Sequence, residues 1–361
     1  MIQVDICIIG GGPAGAAAAL TLARYTKYSV LLVEASRYEA TRVGETVSAG
    51  IAPLLSYLGA GSILAQAVTL PAYGTAGAWG TDELVRRDFI WTGRGQGLHL
   101  DRNGFDQALA ACLSEFGNAP RTATQVRDVT RQDDGWVVQL EAPDGRDNVA
   151  ARIIIDATGR QARVARRLGA ERVVTDRLLG LVCKLDLPEG PAEQTTLVET
   201  APEGWWYTAP LPHGKAVAAL MTDADLLRRL GIGTAADFMA ALSATRHVAA
   251  RLEGARAVSE PRAFPAESHI LHPPCGPGWI AAGDAACAFD PLASLGIGYA
   301  LSSGIQAARI AEQWLRGDDG LAQAYADDIA RHSSVYRAQS QEMYQAERRW
   351  PDAPFWQRRQ G

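Results

Sequence analysis

The feature that most constrains this chain is the stretch IIGGGPAG, in which Gly10-x-Gly12-x-x-Gly15 follows an apolar strand and opens an alanine-rich helix. Val4 to Ile9 reads as a buried strand, the alanines through about Arg24 as a helix, and Ser29 to Val33 as a second strand. Such a βαβ unit joins parallel strands by a right-handed crossover and commits the chain to an α/β sheet. The three glycines have separate tasks. Gly10 permits a tight turn, Gly12 lets the backbone approach a pyrophosphate, and Gly15 lets the helix pack on the strand. The helix that opens at Pro13 presents the unpaired N–H groups of its first turn, from Ala14 on, and positive dipole density to phosphates. Glu34 closes the second strand about 20 residues on, where an acid accepts hydrogen bonds from ribose hydroxyls. Strand, glycines, helix and acid in this register predict a dinucleotide site; the alternative is a glycine turn that serves packing alone.

Composition removes several function classes. A chain of 361 residues can bury a large core, and 47% hydrophobic against 21% charged residues is an ordinary globular balance. A formal net charge of −5 offers no basic footprint for nucleic acid. No apolar run approaches bilayer-spanning length, so no membrane partner is expected. Cys7, Cys112, Cys183, Cys275 and Cys287 include no CxxC pair, which argues against a disulfide framework and against a metal site. The start MIQVDICIIG carries no basic leader or cleavage site, and a cytoplasmic location is expected.

Farther along, Val47 to Leu58 reads as a helix with Ile51, Leu54, Leu55 and Leu58 on one face, and Phe105 to Leu113 as another. Tyr73 to Trp91 suggests short glycine-punctuated strands. Val126 to Thr130, Trp136 to Leu140 and Arg152 to Ile155 read as strands separated by the turn sequences QDDG and APDG. Leu178 to Leu220 alternates like a half-buried antiparallel sheet, with helices over Asp223 to Leu242. Trp279 to Ala282 returns to a buried strand. Long helices are expected from about Gly296 to Arg316 and from about Leu321 to Tyr344, before the tail ERRWPDAPFWQRRQG.

The second half of the chain decides which dinucleotide is expected. GWIAAGDAACAFDP ends a strand in Gly283-Asp284, and IIIDATGR ends another in an ATG element. With the glycine turn, these stand in the order found in the flavoprotein hydroxylase superfamily, which the chain resembles over its whole length. The resemblance implies FAD, with Asp284 on the ribityl chain and the ATG element, including Gly159, closing over the cofactor. RVGETVSAGI is similar to the RxGE segment beside the flavin in flavin halogenases and related oxidoreductases, which brings in Arg42 and Glu45. HLDRNGFDQAL puts Arg102 where the superfamily places a basic residue against FAD. Taken alone, both segments are helix starts with Ser48 and Asp101 as N-caps, and Glu45 is a loop residue. In AFDPLASLGIG, Gly296 and Gly298 allow close backbone approach at a helix start, Pro291 shapes the turn and Asp290 holds it. The residues expected to hold FAD are therefore Gly10, Gly12, Pro13, Ala14 and Gly15, then Glu34, Arg42, Glu45, Arg102 and Val126, then Gly159, Asp284, Pro291, Gly296 and Ile297.

Members of this superfamily differ in what captures the electrophilic oxygen made from reduced flavin and O2. A hydroxylase passes it to an electron-rich ring. A halogenase lets halide intercept it and directs hypohalous acid to a lysine beside the substrate; in tryptophan halogenases a glutamate helps position the electrophile. Here the lysines are Lys27, Lys184 and Lys215, none preceding the strand LPAYGTAGAWG, where a halogenase carries its own. Ala293 stands at the glutamate's place, and GWWYTAPLP departs from the halogenase WxWxIP. A narrower resemblance rests on RVGETVSAGIAPLLSYLG, GLHLDRNGFDQAL, GWWYTAPLP, AFDPLASLGIG and RRWPDAPFWQRR. These are similar to the flavoproteins of the lysine and glycine oxidase maturase type, which help form cysteine tryptophylquinone. That resemblance implies an FAD-dependent monooxygenase that hydroxylates a tryptophan of an amino-acid oxidase precursor, with O2 as co-substrate. Hydroxylation of a small aromatic metabolite, or a flavin-bearing chaperone of the precursor, are the alternatives. No second nucleotide fingerprint is visible, so NAD(P)H visiting transiently or a separate reductase is left as the electron donor.

The expected fold is α/β: a Rossmann-like FAD-binding domain (1-72, 99-170 and 275-318) interleaved with an antiparallel-sheet substrate domain (73-98 and 171-274), as in class A flavoprotein hydroxylases, then a C-terminal helix and tail (319-361). Trp79, Trp91, Trp205, Trp206 and Tyr207 either line a site for an indole or pack the core. Trp205 and Trp206 are neighbours on a strand, so only one can face the flavin. Trp350, Phe355 and Trp356, among Arg348, Arg349, Arg358 and Arg359, either dock a partner or fold back on their own domain. No catalytic base stands out; His99, His213, His269 and His272 are candidates by residue type only.

Overall fold

The computed structural model describes residues 1–360 other than 67, 93, 94 and 134. Ile2–Ile9 lies inside a seven-stranded sheet, parallel to Val30–Val33 on one side and to Gly145–Asp156 on the other. The last residues of Gly145–Asp156 pair in parallel with Trp279–Ala281, and its first residues pair antiparallel with Gly135–Ala142. Ile153, Ile154 and Ile155 are buried together, as expected of a parallel strand covered on both faces. Helix Pro13–Tyr25 begins with proline at its first position, where no N–H is missed. Ala16, Ala17, Ala18 and Ala19 are fully enclosed, which lets this helix lie close against Gly296–Leu315.

A second sheet of eight strands contains Leu178–Asp186, Lys215–Asp223, Gly204–Leu211, Thr195–Ala201, Gly74–Ala78 and Val85–Asp88 in that neighbour order. Its register aligns Val182 with Ala219 and Ala219 with Tyr207, and likewise Gly180 with Met221 and Met221 with Trp205. The alternation of strand side chains puts these residues on one face. The opposite face carries Leu181, Cys183, Trp206, Ala218 and Leu220, which pack under Phe238, Leu242 and Val248. The helices over this sheet are Ala224–Leu230, Ala235–Ser243 and His247–Arg251.

Three expectations change. The helix read from Val47 starts only at Ile51: β-branched Thr46 and Val47 form a short strand against Gly97–Leu100, and Gly50, not Ser48, occupies the cap position. The helix read from Phe105 spans Arg102–Ala111 and continues as a tighter turn, Cys112–Phe116. Asp101 does occupy the cap position there, although its side chain makes no cap bond. The QDDG turn includes Asp134, which lies outside the described residues. No helix among the described residues is long and apolar enough to cross a membrane.

The tail folds back on its own chain. Phe355 and Trp356 are fully buried in a cluster with Trp205, Tyr344 and Met221, and Trp79 and Trp350 pack against it. Trp356 Nε1 donates to the Ala201 carbonyl at 2.9 Å, and Trp205 Nε1 donates to the Tyr344 hydroxyl at 3.1 Å. Asp223, 1% exposed, is held by Arg358 at 2.6 Å and Arg359 at 2.7 Å. Arg349 binds the buried carboxylate of Glu347 at 2.7 Å. Burial would push Glu347 up, but Arg349, Thr200 and two backbone amides hold it down at about 2. The aromatic residues are thereby spent on internal packing and are not offered to a partner, whereas Trp91 is 86% exposed.

Because the Trp356 ring is enclosed and hydrogen-bonded, Trp356→Ala should lower unfolding free energy by about 3–5 kcal/mol. Urea denaturation would read this, and a loss below about 1 kcal/mol would mean that the tail only rests on the domain.

Candidate functional site

A cavity of about 1320 Å³ lies between the two sheets. Single-ligand pockets are typically about 300–1,000 Å³, so this one has room for a dinucleotide and a second ligand.

The first wall is the glycine turn. Gly10 has φ +110°, and a Cβ there would sit 2.2 Å from the Ala157 carbonyl oxygen. A Cβ on Gly15 would come within 1.8 Å of the Gly10 carbonyl oxygen. Gly12 differs: a Cβ would approach only the Arg42 guanidinium, at 3.8 Å. The turn stands over Glu34. Glu34 Oε2 accepts from the Gly11 amide at 2.7 Å, while Oε1 accepts from the Ser36 amide and hydroxyl and from Arg42. Arg42 also reaches Asp106 at 2.9 Å, and Arg102 pairs with the same carboxylate at 3.0 Å. Arg102 further donates to the carbonyls of Val43 and Gly44.

The second wall ends the parallel strands. Buried Asp156 accepts from the Thr158 amide and hydroxyl and from the amides of Val164 and Ala165, fixing the ATG loop in which Gly159 has φ +67°. Asp284 is partly exposed and lies 3.4 Å from Arg160 Nε. Beyond it, Asp290 is buried at the head of the third wall. Its Oδ1 accepts from the Leu292 amide at 2.8 Å and its Oδ2 from the Tyr344 hydroxyl at 2.5 Å, while its own amide donates to the Tyr336 hydroxyl. Burial pushes the Asp290 carboxyl up to about 6, against the opposing pull of the Tyr344 and Leu292 hydrogen bonds. Pro291, Gly296 and Ile297 complete this wall at the start of helix Gly296–Leu315.

The roof is the second sheet: Val182, Val217, Ala219, Met221 and Phe264, with Tyr207 between them. The Tyr207 hydroxyl and Thr46 Oγ1 are 2.9 Å apart, and Thr46 Oγ1 is 3.0 Å from His99 Nδ1 and 3.2 Å from Thr196 Oγ1. Burial raises the Tyr207 pKa, with the Glu45 charge adding to it, and pushes His99 down to about 4. The phenol and the imidazole are therefore both neutral near pH 7.

The cavity wall includes all the residues singled out from the sequence for FAD except Gly15, which serves packing between turn and helix. Neither Trp205 nor Trp206 reaches the cavity. Trp205 shares the roof's face but lies under the tail, and Trp206 faces the other way. Tyr207 is the member of that run on the wall. None of the four histidines lines it, and no cluster of metal-ligating side chains occurs among the described residues. Sequence reasoning missed Arg160, Tyr336 and Tyr344; nothing local marks them, because their partners are distant in the chain.

Residues 92–361 match the tryptophan halogenase family, and residues 4–69 match a pyridine nucleotide-disulphide oxidoreductase domain. The chain belongs to the tryptophan halogenase family. LodB of Marinomonas mediterranea, named as an FAD-dependent oxidoreductase, is 32% identical over 99% of this chain and 97% of its own. Among solved structures, the peptidyl tryptophan dihydroxylase QhpG, described as essential for tryptophylquinone cofactor biogenesis, is 30% identical with a TM-score of 0.81. That match covers 99% of this chain and 79% of QhpG. The myxobacterial chondrochloren halogenase CndH superposes with a TM-score of 0.89 at 22% identity, over 99% of this chain and 86% of CndH, a likeness of fold. The expected α/β fold, FAD as cofactor and the resemblance to oxidase-maturing flavoproteins are thereby met: this family member is an FAD-dependent oxidoreductase. The wall suits FAD on its own terms. Gly12 leaves the helix start open to a phosphate, and Glu34 Oε2, with one donor, keeps a lone pair for a ribose hydroxyl.

Gly10→Ala should purify without bound FAD, because its methyl group would displace the Ala157 carbonyl; flavin absorbance per chain reads this, and full loading would contradict it. Asp290 keeps a proton in the folded protein that the unfolded chain releases near pH 4. Its contribution is therefore favourable at low pH and is lost as pH rises through about 6. Asp290→Asn should flatten that segment of the stability curve, measured by urea denaturation from about pH 4 to pH 7.

Proposed function

We propose that this protein is an FAD-dependent monooxygenase that hydroxylates a tryptophan side chain in the precursor of an amino-acid oxidase, during cysteine tryptophylquinone formation. What carries the reading is a cavity with a dinucleotide cradle on one side and an apolar roof without lysine on the other. It occurs in a chain 30% identical to a peptidyl tryptophan dihydroxylase over nearly its whole length. Residues 1-72, 99-170 and 275-318 would then hold the cofactor, 73-98 and 171-274 the substrate, and 319-361 would clasp the two.

The amides at Gly12 and the start of the following helix would take the diphosphate, with Pro13 and Ala14 shaping that start. Glu34 would receive a ribose hydroxyl and Asp284 the ribityl chain. Val126 and Gly159 would close one side, and Pro291, Gly296 and Ile297 would lie along the ring. Arg42 and Arg102, already paired with Asp106, would frame this cradle. Bound FAD supplies the two-electron activation of O2. The chain itself must hold an indole in line and keep water away, which Val182, Val217, Ala219, Met221 and Phe264 are suited to do. Halogenation is disfavoured: none of the three lysines lines the cavity, and Ala293 offers no carboxylate.

The test is coexpression with a lysine or glycine oxidase precursor, followed by mass spectrometry of the tryptophan-containing peptides. Oxygen addition that disappears in Gly10→Ala is the expected result. A stable complex without mass change would identify a chaperone. Turnover of free aromatics alone would identify a small-molecule hydroxylase, and halogen addition in bromide a halogenase.

A further inference from the structure

Glu45 is unusual among the residues of the wall. It is 5% exposed, and its Oε1 is enclosed without a hydrogen-bond partner among the described residues. Its place is fixed by the backbone: the Glu45 carbonyl accepts from the Leu100 amide at 2.7 Å, and the next residue, Thr46, pairs with His99. Arg102 is close enough to lower its pKa but is itself engaged by Asp106, Val43 and Gly44. Burial raises the carboxyl, opposed by Arg102, by the amides of Glu45 and Gly44, and by Lys184. A buried carboxylate oxygen left without a donor costs about 1–3 kcal/mol or more, so such an atom calls for a ligand that supplies one.

The surroundings say which ligand. The roof above is apolar, and its polar group is Tyr207, whose hydroxyl is already tied to Thr46. A flat apolar ring bearing a single N–H donor satisfies both features, and an indole is such a ring. We propose that Glu45, counted from the sequence among the FAD residues, serves instead as the catalytic proton acceptor for the substrate indole, receiving its ring N–H. This rests on the monooxygenase reading above. In the reaction a ring carbon gains a C–O bond from one atom of O2 and loses its C–H bond. The second oxygen atom leaves as water, with two electrons and two protons from the reduced cofactor, replenished by a nicotinamide or reductase donor. As the C–O bond forms, the nitrogen lone pair moves into the ring and the N–H proton passes to Glu45. It returns to nitrogen when the ring carbon releases its own proton to water.

Two measurements test this separately from the oxidase reading. In the FAD-loaded protein, free indole should bind roughly tenfold or more tightly than 1-methylindole, read by the flavin absorbance change, and Glu45→Ala should abolish that preference. Equal binding of the two ligands by the unaltered protein would overturn the proposal. In coexpression, Glu45→Gln should retain full flavin but slow oxygen addition by about 10²–10⁴-fold, and Glu45→Asp should recover part of the rate. The rate of the unaltered protein should rise with pH through the Glu45 titration, a limb missing from Glu45→Gln. Arg102, Lys184 and Tyr207 face this carboxyl, with Asp106 and Asp284 behind Arg102, and all are retained in that variant. A full rate in Glu45→Gln, or loss of its flavin, would overturn the assignment. If the unaltered protein oxygenates no precursor while the indole preference holds, the failure lies with the oxidase reading.

Discussion

Close approach of backbone to backbone holds this site together. Gly15 sits against the Gly10 carbonyl, and Gly304, where a Cβ would lie 2.2 Å from the Ala14 carbonyl oxygen, brings the long second helix to the same place. Gly283 presses on the Ala14 methyl from a third direction. A side chain at Gly304 would force the two helices apart, and one at Gly15 or Gly283 would push away the turn or the helix packed against it; van der Waals attraction falls steeply with separation. The glycine turn, the ATG loop and the loop that leads into helix Gly296–Leu315 therefore stand in fixed relation because small residues meet at their roots.

The C-terminal helix Leu321–Ala346 adds a second level of constraint. Tyr325 donates to the Ala281 carbonyl at the end of a parallel strand, and Tyr336 and Tyr344 hold Asp290. The helix then delivers Glu347, Phe355 and Trp356 to the second sheet, at the end of strand Thr195–Ala201. One element thus fastens the Asp290 loop to the roof of the cavity. The Asp290 carboxyl loses solvation in the process, and the Tyr344 hydroxyl, the Leu292 amide and the Arg359 charge compensate in part.

Legibility in the sequence followed the range of the interaction. The parallel strands, the glycine turn and the long helices were readable because they are written in local periodicity and in glycine spacing. The start of the helix at Ile51 was misread because Val47 fits its apolar face, yet pairs in a strand with Leu98. Trp205 was a reasonable wall residue by strand alternation, since it shares a face with Tyr207. What removed it from the cavity was Trp356, far along the chain, together with the Tyr344 hydroxyl. The tail's aromatic and basic residues were equally ambiguous until Asp223 and Ala201 appeared as their partners.

By itself, the sequence determined the dinucleotide turn and the parallel strands and long helices around it, while the resemblance to flavoproteins supplied the order of elements and, together with the turn, fourteen residues of the cavity wall. The turn and the elements follow from backbone conformation at glycine and from apolar repeat, and both are local. Only the tertiary structure decided that Gly15 packs and does not line the site, that Tyr207 faces inward, and that Glu45 is enclosed with an unpartnered oxygen. Burial and hydrogen-bond satisfaction are sums over neighbours from many parts of the chain, such as Thr46 beside Tyr207. No window of sequence contains those sums, so the chemistry of the roof emerges only when the two sheets close on each other.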